Sequence, residues 1–111
     1  MLVDAMSAGG HEERLIPYES RLAYERGSDD QLHHQVAERA LRFPDSLDPV
    51  IIHDHARLAI EHIGGAPLEY RLTLFDALML IGRVDEARNT LNIAEQYYPN
   101  SSEVSERQDQ L

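Results

Sequence analysis

Prolines and glycines cut this chain into blocks of twelve to eighteen residues, and within each block the apolar side chains recur every three or four positions. That spacing places them along one face of a helix, because an α-helix turns once every ~3.6 residues. The block IPYESRLAYERG carries Pro17 where a first helical turn tolerates it and Gly27 where a helix stops. In SDDQLHHQVAERALRFP, Ser28 reads as N-cap with Gln31 completing a capping box, and Asp29 and Asp30 stand where the helix dipole favours acids. Leu32, Val36, Ala40 and Phe43 form its apolar stripe, and Pro44 ends it.

The remaining blocks follow the same logic. DPVIIHDHARLAIEHIGG has Asp48 as N-cap, Pro49 in the first turn and Gly64 as stop. PLEYRLTLFDALMLIG opens on Pro67, buries Leu68, Leu72, Phe75 and either Leu78 or Met79, and stops at Gly82. DEARNTLNIAEQYYP carries Ala87, Leu91, Ala94 and Tyr98 before Pro99. No block shows the two-residue alternation of a half-buried strand, and no hairpin turn joins two such runs. The expectation is five helices and no sheet, in one domain over residues 14–99. Residues 1–13 form an N-terminal segment, either a short helix near Leu2–Met6 or disordered. Residues 100–111 form a polar tail with almost nothing to bury, either a frayed helix or disordered.

From Pro67 to Pro99 the chain resembles a tetratricopeptide repeat, a helix–turn–helix unit of about thirty-four residues. The resemblance rests on Gly82 at the turn, the following Asp-Glu-Ala with Ala87, then Leu91, Ala94 and Pro99. It implies antiparallel helical hairpins, a fragment of a right-handed α–α superhelix. The short stretch Phe43-Pro44-Asp45-Ser46 nearly repeats Tyr98-Pro99-Asn100-Ser101, which suggests a degenerate second hairpin over 17–43. The helix at 49–63 would then pack between the two hairpins. About three repeats are usually needed for a continuous core, so some face of the chain is expected to need a partner.

Composition narrows the function. The 111-residue chain has a net charge of −10, which argues against a nucleic-acid or anionic-membrane surface. All ten basic residues are arginine, a bias read as compositional. With no cysteine, thiolate chemistry and Cys-ligated zinc are excluded. No apolar run approaches the ~18 residues of a membrane span. The opening MLVDAMSAGG lacks the basic start and long apolar stretch of a signal peptide. The chain reads as a small soluble protein or a soluble piece of a larger one, with the cytoplasm favoured over the periplasm.

Candidate chemistry is thin. His53 and His55 point about 200° apart on a helix, and His55 and His62 lie ~10 Å apart along one face, too far to chelate together. His11, His33 and His34 complete the six histidines, read as surface or partly buried side chains. The acid pairs Asp29-Asp30 and Asp85-Glu86 stand at helix starts, where capping explains them. No nucleophile elbow, metal motif or phosphate-cradling loop is present, so neither catalysis nor a cofactor or metal is expected.

What remains is binding. In tetratricopeptide-like units the inner face of the first helix lines a peptide groove, which the resemblance places at Glu69, Leu72, Asp76 and Met79, with Arg83 at the edge. Thr73 and acids stand where the family's carboxylate clamp uses Asn and basic side chains, so a C-terminal carboxylate is disfavoured. A protein or peptide partner of basic or amphipathic character is expected, in a non-catalytic interaction module or adaptor. Tyr97 and Tyr98 either anchor an interface or divide between the core and the next turn. There are two alternatives. One is self-association as a homodimer. The other is the soluble C-terminal tail of a bacterial O-antigen-ligase-like oligosaccharyltransferase, which residues 55–99 resemble.

Overall fold

The structure, a computed structural model, describes residues 11–26, 29–61 and 66–111. The described residues form six helices and no strand: α1 (His11–Arg26), α2 (Asp30–Arg42), α3 (Pro49–Glu61), α4 (Leu68–Leu80), α5 (Val84–Tyr97) and α6 (Ser102–Gln108). The fold is all-α, built of consecutive helices that double back on one another. No helix among the described residues is long and apolar enough to cross a membrane.

Local chemistry sets most of the boundaries. Gly82 adopts φ +77, and around it the Arg83 N–H bonds the Leu78 carbonyl at 2.9 Å while the Gly82 N–H bonds Met79 at 3.1 Å. These two bonds form a Schellman motif, which needs the left-handed residue that glycine supplies at little cost. Asp48 caps α3, its Oδ1 accepting from the Val50 N–H at 2.9 Å, with Pro49 in the first turn as the spacing predicts.

Two boundaries differ from the sequence reading, and the tail takes the helical one of its two expected forms. α1 begins at His11, six residues before Pro17, so the proline lies inside the helix. Pro17 cannot donate to the Glu13 carbonyl. Both residues lie on the exposed side, where that carbonyl can be hydrated. Asp29 caps α2, its Oδ1 accepting from the Leu32 N–H at 3.1 Å. Ser28, Gly27, Gly64 and Gly65, like the Leu2–Met6 segment, lie outside the described residues. The polar tail folds: Ser101 Oγ accepts from the Val104 N–H at 3.3 Å, and Val104 is 2% exposed. The seven residues of α6 are held by this buried residue and cap, together with Arg107 on Asp76 and Gln108 on Glu95.

The core has two parts. Leu72, Phe75, Leu78, Ala87, Leu91, Ala94 and Val104 form one, at the α4–α5–α6 end. Ile16, Ala37, Ala40, Ile52, Ala56 and Ala77 form the other, where alanines let α2 and α3 approach closely. Leu74 of α4 packs against both and ties them together. The expected buried positions hold at Val36, Ala40, Leu72, Phe75, Ala87, Leu91 and Ala94. Tyr98 departs from its expected place in the apolar stripe, and neither it nor Tyr97 packs in the core. Both are exposed, at 60% and 37%, because α5 ends on Tyr97 and Tyr98 is already its C-cap.

α3 lies against both α2 and α4, and α2 also meets α4 directly. Alternate helices therefore share a face. The first residues of α2, α4 and α6 are Asp30, Leu68 and Ser102, 38 and 34 positions apart.

Candidate functional site: a cleft between alternate helices

α2, α4 and α6 together line a cleft of about 280 Å³. Glu38, Leu41 and Arg42 come from α2; Glu69, Leu72, Thr73 and Asp76 from α4; Glu103 and Arg107 from α6. Residues 69, 72 and 76 follow one another at three and four positions, so a single face of α4 supplies more of the lining than either other helix. Leu72 is buried and Leu41 half-buried, which gives the cleft an apolar floor. Four carboxylates stand around it against two guanidinium groups.

Two residues of the lining form an internal ion pair. Arg107 Nε and Nη2 reach Asp76 Oδ1 and Oδ2 at 3.0 and 2.9 Å, a two-pronged contact that fixes the guanidinium plane. Glu38 and Glu69 are exposed. Behind the cleft, His34 is nearly buried. Its Nε2 lies 3.1 Å from the Thr73 hydroxyl and 3.7 Å from Glu38 Oε2, and its ring stacks on Tyr70 at 4.1 Å. Burial lowers the His34 pKa below its ordinary value, against the pull of Glu38.

Of the five residues named from the sequence, Glu69, Leu72 and Asp76 line this cleft. Met79 does not: it packs against the core cluster that includes Val104 of α6. Arg83 is the N-cap of α5 and pairs with Glu86 at 2.6 Å, away from the cleft. Glu38, Leu41, Arg42, Glu103 and Arg107 were not foreseen. Their contribution depends on which helices become neighbours, and only a signal for α6 in the tail would have exposed the last two.

Two of the histidines, His33 and His55, meet elsewhere, while His62 lies outside the described residues. His33 and His55 are fully buried and His34 nearly so, against the expectation of surface or partly buried side chains. His53, on the opposite side of α3 from His55, is half-buried as the helical geometry requires. His55 Nδ1 lies 2.8 Å from His33 Nδ1, and His55 Nε2 lies 2.6 Å from Ser20 Oγ. Tyr24 covers this chain, its ring 4.4 Å from that of His55 and its hydroxyl donating to Asp54 at 2.7 Å. Burial and the adjacent His33 push the His55 pKa down to about 4. Among the described residues no group of three or more His, Asp or Glu side chains converges as a metal site would require. Ser20 is 5% exposed, and the cleft of α2, α4 and α6 is lined by none of Ser20, His33 and His55.

Comparison of the chain with protein-family models, with curated proteins and with solved structures finds no match.

Proposed function

We propose that this chain is a non-catalytic, tetratricopeptide-like interaction module whose α2–α4–α6 cleft receives a basic, amphipathic segment of a partner protein. The carrying observation is the cleft itself: Glu38, Glu69, Asp76 and Glu103 surround an apolar floor of Leu41 and Leu72. A segment that presents an apolar residue beside a guanidinium or ammonium group complements both features. The 34-position step from α4 to α6 supports the repeat reading, as does the 35-position step from α3 at Pro49 to α5 at Val84.

The test is fluorescence anisotropy with a labelled amphipathic helical peptide of leucine and arginine, and with its leucine–glutamate counterpart. The wild type is expected to bind the basic peptide in a salt-dependent manner. A Glu38→Arg/Glu69→Arg variant of unchanged helicity is expected to lose that binding, since both exposed charges are reversed. Equal binding by the variant, or preference for the acidic peptide, contradicts the reading.

A further inference from the structure

We infer that the Ser20–His55–His33 chain is a pH-sensitive latch: on mild acidification it releases α1 from α2 and α3 while the α4–α5 hairpin stays folded. This does not depend on what the cleft binds.

α1 is weakly held by apolar contact. Its buried stripe is Ile16, Ser20 and Ala23, at spacings of four and three, with only one large apolar side chain fully buried. Polar links do the rest: Ser20 to His55, Tyr24 to Asp54 at 2.7 Å, and Glu19 to Arg39 at 2.7–2.8 Å. An element with little apolar burial opens locally at lower free energy than the core around it.

Between uncharged rings the histidine link holds a single shared proton, and an added proton places a buried charge there. The 2.8 Å contact between two Nδ1 atoms needs one proton between them, carried by either ring. If His55 Nδ1 carries it, Nε2 accepts from the Ser20 hydroxyl; if His33 carries it, His55 Nε2–H donates to Ser20 Oγ. A first extra proton leaves His55 donating at both nitrogens, to His33 and Ser20, with no carboxylate at either.

The groups around His55 do not rescue the charge. From α1 it meets Ser20 and the neutral Tyr24 ring, and from α2 it meets His33. On its own helix, Asp54 is the only acid acting on it, and Asp54 is held by the Tyr24 hydroxyl and by Arg57 at 2.7 Å. Moving α1 aside lets water reach both imidazoles. The same movement withdraws Ile16 from Ala37, Ala40, Ile52 and Ala56 and uncovers that apolar patch on α2 and α3.

Hydrogen–deuterium exchange at pH 7.5 and pH 5.0, corrected for the intrinsic pH dependence of exchange, tests this. The lower limit lies above the ordinary carboxylate range. In the wild type, amides of residues 14–26 are expected to lose at least tenfold in protection at pH 5.0, with α4 and α5 unchanged. His55→Gln, which hydrogen-bonds without titrating, is expected to remove the pH response of α1, whereas His34→Gln keeps it. Constant α1 protection in the wild type overturns the latch, and so does simultaneous loss of protection in every helix. These wild-type readings decide the matter even if His55→Gln fails to fold. A full pH response in folded His55→Gln overturns it equally.

Discussion

Phe43 and Tyr98, fifty-five positions apart, close their helices with nearly the same backbone: φ −130, ψ 69 at the first and φ −135, ψ 68 at the second. After each comes a proline, an Asp or Asn, and a serine whose N–H bonds back to the aromatic residue's carbonyl, at 2.8 Å from Ser46 and 3.2 Å from Ser101. The two stretches are one stop device used twice. They do not occupy equivalent places, because Phe43 ends α2, a cleft helix, while Tyr98 ends α5, which does not line the cleft. The likeness belongs to the local chain, and the layering comes from the packing of α2 directly on α4.

Ser101 also starts the next helix, so Ser101→Ala removes the only side-chain cap of α6. Such caps contribute about 1 kcal/mol. The variant is expected to lose amide protection in α6, with little change in α2 or α3. Hydrogen exchange by residue checks this.

Gly82→Ala meets no neighbouring atom, yet it forces an alanine to φ +77. The expected cost is about 1 kcal/mol from backbone strain alone, seen as a Tm lower by about 4 °C or more. An unchanged Tm would mean that the α4–α5 turn is free to refold without the left-handed residue.

Much of this was legible in the sequence and some was not. Gly82, Asp48 and Pro49 act within a few residues of themselves, so their roles read directly from local chemistry. The stripe Glu69, Leu72, Asp76 was legible because one helix supplies it. Met79 and Arg83 do not line this cleft, which takes in Glu103 and Arg107 of α6, a helix that the polar tail gave little sign of. The meeting of His33 with His55 spans twenty-two positions and two helices. No spacing rule reaches that far. Pro17 misled because a proline inside a helix is tolerated on an exposed side, a fact of tertiary placement.

Acid is expected to destabilise the chain, and the sign follows from His55. Its folded pKa, about 4, lies below the ordinary 6.5, so between those values the unfolded chain binds more protons than the folded one. Stability is full above pH 6.5 and falls as pH drops toward 4, by of order 2 kcal/mol from this residue. Urea denaturation at pH 7.5, 6.0 and 4.5 measures the loss. Stability that rises on acidification in that window contradicts the assignment of His55 as a buried neutral imidazole.

Arg107→Gln removes the guanidinium from Asp76 and leaves one more uncompensated carboxylate in the cleft. The variant is expected to bind the leucine–arginine peptide a few-fold more tightly than the wild type. Its cost in stability is about 1 kcal/mol, as for a partly exposed ion pair. Anisotropy and urea denaturation on the same preparation separate the two effects.

The most direct measurement is a nitrogen-15 amide-shift titration of the wild-type chain with the leucine–arginine peptide. If the cleft between alternate helices is the binding surface, the perturbed amides cluster at Glu38, Leu41, Glu69, Leu72, Thr73 and Asp76, and α3 stays still. Perturbations spread over α3 and α5, or none at millimolar peptide, contradict it.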